Sequence, residues 1–250
     1  MNAMSELRQM RQARQQWRGW VVAAALASAG LGPAASAAAA QAAVPDTMAQ
    51  RMQACTVCHG KEGRATNAGY FPRIAGKPAG YLYNQLVNFR EGRRHNATMS
   101  YLVEHLSDEY LREIAGHFAG LDLPYPPPQS TAVAPAQREL GAALVQRGDR
   151  QRNIPACVSC HGQHMTGAQP ALPGLLGLPR DYLMGQLGAW RTGQRRAAAP
   201  DCMATIANRL TPQEVGAVAA WLSAQPIPAD ARPAPRPSSP LPLDCGSGLQ

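Results

Sequence analysis

Lysine and aromatic residues are both scarce in this chain. Lys61 and Lys77 are the only lysines, and Phe, Trp and Tyr together make up 6% of its 250 residues. Without lysine clusters or an aromatic–basic platform, a nucleic-acid-binding surface is excluded, although the formal charge is +8. No stretch sustains the alternation of a β-strand, so a mainly helical fold is expected, with no βαβ setting for a redox dithiol. Beyond residue 44 no apolar run approaches a membrane-spanning length, and the remainder is expected to be soluble. What is present is 45% hydrophobic residues, which excludes wholesale disorder, and 23 Gly with 22 Pro, which favour small loop-rich units over one large core.

The first 43 residues differ from the rest. Arg8, Arg11, Arg14 and Arg18 precede an apolar stretch from Gly19 to about Leu31, and Ala35-Ser36-Ala37 supplies a small-residue exit. A basic start, a short apolar run and an A-x-A site describe a secretory signal peptide, cleaved near 37–43. A retained membrane anchor is the competing reading. It is weakened by Gly30, Gly32, Pro33 and the many alanines, which leave the segment only mildly apolar. Removing residues 1–43 takes four arginines and one glutamate with them and leaves a charge of +5.

The rest of the chain reads twice. Cys55-Thr56-Val57-Cys58-His59-Gly60 returns 102 residues later as Cys157-Val158-Ser159-Cys160-His161-Gly162. Tyr81-Leu82, Gln85-Leu86, Phe89-Arg90, Gly92 and Arg94 then recur in register as Tyr182-Leu183, Gln186-Leu187, Trp190-Arg191, Gly193 and Arg195. Helices are expected there, and each copy closes with another. Leu111, Ile114, Ala115 and Phe118 share one helical face, as do Val215, Val218, Ala219 and Leu222. Ser107 is placed to cap the first closing helix, and Thr211-Pro212-Gln213-Glu214 is a capping box for the second. Further helices, roughly over 46–53 and 136–147, are expected to end close to each Cys motif. Residues 124–130 form a Pro-rich linker between copies spanning 44–123 and 131–225, and 226–250 form a Pro-rich irregular tail.

Two thiols three residues apart on a helical turn can both add to the vinyl groups of a porphyrin. The following imidazole then faces the iron. Zinc would need four ligands, and each copy offers two Cys and one well-placed His. Covalent haem through Cys55, Cys58, Cys157 and Cys160, with His59 and His161 on the metal, is therefore the expected chemistry. A buried macrocycle also supplies apolar surface that units of this size lack. Met99 lies 40 residues after His59 and Met203 lies 42 after His161, in matching places. Each is the candidate sixth ligand, with a core methionine as the plain alternative. Pro72 and Pro173 fall where a carbonyl could accept the proximal imidazole N–H, or are ordinary turn prolines. Of Arg90, Arg93, Arg94, Arg191, Arg195 and Arg196, most are expected to be solvated, with one per copy pairing with haem propionates. Cys202 and Cys245 remain, either as a disulfide tying the tail beside Met203 or as separate thiols.

These motifs, covering about residues 44–225, resemble the cytochrome c4 family. The resemblance implies a mainly α, periplasmic protein of two tandem class I cytochrome c domains, each wrapped around a covalent haem c. It implies attachment at Cys55, Cys58, Cys157 and Cys160, and axial ligation by His59, Met99, His161 and Met203. The activity implied is electron carriage rather than catalysis, between a quinol-oxidising complex and a terminal oxidase of the respiratory chain, with peripheral membrane association. A cytochrome subunit of a periplasmic or membrane-bound dehydrogenase is the alternative; a dihaem peroxidase fits less well, because both copies hold a late methionine. The long leader, Cys202 and the Cys245-bearing tail depart from the family pattern. Two haems would add four propionates, bringing the processed protein to about +1 if all ionise. The remaining basic balance suits acidic patches on redox partners and salt-sensitive docking.

Overall fold

The computed structural model describes residues 44–65, 69–129 and 132–248; the proposed leader lies outside them. In the first copy, Thr47 caps α1 (Met48–Arg51) by accepting a hydrogen bond from the Gln50 N–H. The helix expected over 46–53 is thus present, shorter at both ends, and the buried Met52 separates it from α2 (Gln53–His59), which contains the whole Cys motif. Then follow α3 (Ala79–Arg90), α4 (Ala97–Val103) and α5 (Asp108–Ala119). The Ser107 hydroxyl caps α5 through the Tyr110 N–H, as the sequence leads one to expect. Leu111, Ile114, Ala115 and Phe118 are all buried against α3, forming one core with Met52, Leu82, Phe89 and Val103.

The second copy repeats this plan. It comprises α6 (Pro135–Arg147), α7 (Val158–His161), α8 (Arg180–Arg191), α9 (Cys202–Arg209) and α10 (Pro212–Ser223). The Thr211–Glu214 capping box forms at the head of α10, which packs on α6 and α8. α6 covers the span expected, 136–147, and ends at Arg147. Gly148 stops it, and the chain turns back on itself, with Asp149 and Ile154 exchanging backbone hydrogen bonds before Cys157. The described strands are two residues long: β1 (Gly167–Ala168) and β2 (Leu172–Pro173), paired antiparallel in the loop after His161. Both methionines proposed as ligands sit on helices of their own, α4 and α9.

The copies meet through a clasp that follows the duplication. Arg94 donates to Gln85 Oε1 at 2.9 Å and to Gln186 Oε1 at 2.6 Å; Arg195 donates to Gln186 Oε1 at 2.7 Å and to Gln85 Oε1 at 3.0 Å. Backbone bonds flank it, from the His95 N–H to the Gln194 carbonyl and from the Arg196 N–H to the Arg93 carbonyl. Of the six arginines expected to be mostly solvated, one per copy is not: Arg94 and Arg195 are both buried, their guanidiniums over the rings of Phe89 and Trp190. The Pro-rich segment between the copies is likewise part of the packing. The Leu123 and Pro124 carbonyls accept from Arg73, whose guanidinium lies 4.0 Å from the Tyr125 ring centre.

Leu111 is fully buried at the centre of the first core. Leu111→Ala is expected to cost about 2–5 kcal/mol, from lost burial plus the cavity left behind. Denaturant unfolding of the haem-loaded protein measures it, and a loss well under 1 kcal/mol would contradict the packing described.

Candidate haem-binding sites

Each site is built from one helix and the loop after it. Gly60 and Gly162 end α2 and α7 with φ of 77° and 84°. A side chain is strained in that conformation, and a Cβ on Gly60 would collide with the Ala65 carbonyl. The turn sends the chain round until a proline carbonyl faces the imidazole. His59 Nδ1 lies 2.9 Å from the Pro72 oxygen, and His161 Nδ1 lies 2.7 Å from the Pro173 oxygen. A carbonyl only accepts, so Nδ1 carries the proton and the Nε2 lone pair is left for a metal. Both prolines thus do more than turn the chain. Burial lowers the pKa of both histidines and keeps them neutral, the form that ligates; the Pro carbonyls oppose this only in part.

Cys55, Cys58, Cys157 and Cys160 are all unbridged and partly buried. Burial raises the thiol pKa of Cys55 and Cys160 and pushes Cys157 up to about 12. A reactive dithiol is served by the opposite shift, toward thiolate at neutral pH. Met99 packs on the same core as Cys55, and Met203 is half-buried at the second position of α9.

The surroundings suit a group bearing carboxylates. Trp190 Nε1 and the Nε atoms of Arg64, Arg73 and Arg180 are buried donors without an acceptor in the protein. The clasp guanidiniums of Arg94 and Arg195 bond to neutral oxygens of Gln85, Gln186 and Tyr182. Burial and the neighbouring Arg94 charge both lower the pKa of Arg195. Two like charges side by side in a dry setting are stabilised by a nearby anion, which a haem propionate would supply.

Comparison with known proteins agrees with this chemistry. A family model for cytochrome c matches residues 139–225. The chain is 38% identical over 176 residues to the thiosulfate dehydrogenase electron acceptor of Thiomonas intermedia, covering 69% of this chain and 79% of that one. It is 31% identical over 173 residues to cytochrome c4 of Pseudomonas aeruginosa, covering 67% and 82% respectively. Reduced recombinant cytochrome c4 from Pseudomonas stutzeri superposes with a TM-score of 0.60 at 26% identity, over 70% of this chain and 94% of that one. An as-isolated thiosulfate dehydrogenase from Marichromatium purpuratum gives a TM-score of 0.62 at 34% identity, over 69% of this chain but only 36% of that longer one. The chain belongs to the cytochrome c family, among the dihaem proteins of the cytochrome c4 type. It is an electron carrier of two tandem class I cytochrome c domains with two covalent haem c groups, not a catalyst in its own right.

Lys77 is a feature of the second site that sequence reading missed. It sits in the first domain's loop, 3% exposed, and its Nζ donates at 2.7 Å to the carbonyl of Gly174, the residue after Pro173. Being one of two lysines in the chain was a signal; the partner, 97 positions away, was not visible. Burial, with the Arg73 charge adding to it, lowers its pKa from 10.5 to about 7.

Between those values the unfolded chain binds the extra proton, so folding stability rises with pH across that window; below about pH 7 the full cost of burying the charge remains. The unfolding midpoint of the haem-loaded protein is expected to climb from about pH 7 toward pH 10. In Lys77→Met that climb should vanish. A wild-type midpoint that is flat across the window would contradict the burial of a protonatable amine here.

Proposed function

We propose that this chain accepts electrons from a periplasmic dehydrogenase acting on a small sulfur compound of the thiosulfate type, and passes them to a respiratory partner such as a terminal oxidase. The observation that carries this reading is the higher identity to a thiosulfate dehydrogenase electron acceptor than to cytochrome c4. A periplasmic address is supported by the basic leader with its A-x-A exit, and by covalent haem attachment. Among the described residues no helix is long and apolar enough to cross a membrane.

In this proposal Cys55 and Cys58 would hold one haem and Cys157 and Cys160 the other, with His59 and Met99 as iron ligands in the first domain and His161 and Met203 in the second. Each iron supplies one-electron chemistry between its ferrous and ferric states. The protein's part is to keep both imidazoles neutral and oriented through Pro72 and Pro173, and to offer the Met99 and Met203 thioethers. A thioether and an imidazole on one iron would favour the ferrous state, as a carrier requires.

The second reading is a shuttle from a quinol-oxidising complex. It is favoured by the match to 94% of a cytochrome c4 structure, which accounts for nearly all of that carrier. Rapid mixing separates the two: the oxidised protein is offered thiosulfate with a thiosulfate dehydrogenase, or a quinol with its oxidising complex. Fast reduction of both haems by the dehydrogenase is expected. Reduction by the quinol system alone would overturn the dehydrogenase reading.

The ligand assignment has its own test. Met99→Ala and Met203→Ala should each remove about half of the far-red methionine–iron band of the ferric protein and lower the potential of one haem. Retention of the whole band in either variant removes that methionine from the assignment.

A further inference from the structure

The two methionine-bearing helices are held differently. In the first domain, Asn96 Oδ1 accepts from the Met99 N–H at 3.0 Å, and the Asn96 amide donates to the Tyr70 hydroxyl at 2.9 Å. The Ser100 hydroxyl, one residue past the methionine, donates to the Phe89 carbonyl at 3.0 Å and so ties α4 to α3. In the second domain the residue past Met203 is Ala204, which has no hydroxyl to make that tie. The cap on α9 is local: Asp201 accepts from the N–H groups of Ala197 and Ala204. Arg191 binds the carbonyls of Ala207 and Leu210, but these lie at the far end of the helix from Met203.

What holds the methionine end of α9 is the tail. Cys202 is bridged to Cys245, across 43 positions, and the Gly246 N–H donates to the Pro200 carbonyl at 2.9 Å. Earlier in the tail, the Ala234 N–H donates to the Gly167 carbonyl and its own carbonyl accepts from the Gln169 N–H, in the loop between His161 and Pro173. Further on, the Ser247 carbonyl accepts from Asn84 of the first domain at 3.1 Å. The tail therefore joins the histidine side of the second site to its methionine side, and the disulfide is its covalent end.

We propose that the Cys202–Cys245 disulfide is a positioning element for Met203, doing for the second haem what the Ser100 hydroxyl does for the first. The proposal rests on the reading of Met203 as an axial ligand. A ligand on a short helix end leaves the metal in proportion to how often that end moves. An external ligand that needs the vacated position gains apparent affinity in the same proportion. Cutting the strap should therefore weaken one methionine–iron bond of the two.

The test uses the full-length ferric protein with both haems, as wild type and as the Cys202→Ser/Cys245→Ser double variant. Imidazole is titrated while the far-red methionine–iron band is followed, well below the unfolding temperature of each protein. In the double variant about half of the band is expected to disappear at imidazole concentrations roughly tenfold lower or more, while the other half titrates as in wild type. The unmoved half, in the same molecule, also reports that the variant has folded. Adding Ala204→Ser, which restores the hydroxyl found at Ser100, is expected to move the sensitive half back toward wild type. If both halves titrate as in wild type and only the unfolding temperature falls, the disulfide merely braces the fold and the proposal is overturned. If Met203→Ala keeps the whole band, the ligand reading itself has failed and the proposal falls with it.

Discussion

The bond from each imidazole Nδ1–H to a proline carbonyl organises both halves of this protein. It requires a helix that ends at the histidine, a glycine that can adopt positive φ directly after it, and a loop long enough to bring a carbonyl back to the ring. Once made, the bond sets the tautomer, and burial keeps the ring neutral. The thiols sit on the same segments: α2 contains Cys55 and Cys58, and Cys157 caps α7, which contains Cys160. The remaining helices form walls around those segments. Their shared cores are modest, which is the condition under which a bound macrocycle adds most to stability.

Duplication made two such sites, and the contact between them is specialised. Arg94 and Arg195 exchange glutamines across the interface, so neither domain completes its own hydrogen bonding alone. Burying two guanidiniums without a carboxylate is costly for the polypeptide by itself, and the shared glutamine oxygens offset part of that cost. Lys77 adds a further link, since a first-domain side chain caps a carbonyl beside Pro173 of the second. The domains are alike in plan and unlike in support: one methionine helix is pinned by a hydroxyl, the other by a disulfide and a tail.

Much of this was legible beforehand, for reasons that differ from feature to feature. The Cys-x-x-Cys-His motifs are local chemistry, visible in five consecutive residues. The closing helices α5 and α10 were legible because apolar spacing and caps act within a few residues, and Ser107 and Thr211 cap them as their neighbours require. Repetition extended that reach, since Pro72 with Pro173 could be picked out only because the chain repeats. Reading failed where the deciding contact was distant. Sequence singles out one arginine per copy as other than solvated but not which one, and only the apposed second copy shows Arg94 and Arg195 to be interior. The Pro-rich segment resembles a spacer until Arg73 is seen bound to its carbonyls.

The sequence by itself determined the cofactor, the number of sites, the helical class and the doubling, because each is written in short-range patterns of residue type. Tertiary structure alone decided which cations are buried, how the domains clasp, and what the tail does. Those properties depend on residues far apart in the chain meeting in a setting that water does not screen. Between Lys77 and Gly174, or Cys202 and Cys245, separation along the chain says nothing about proximity. Proximity is what sets the energy of a buried charge and gives a strap its purpose.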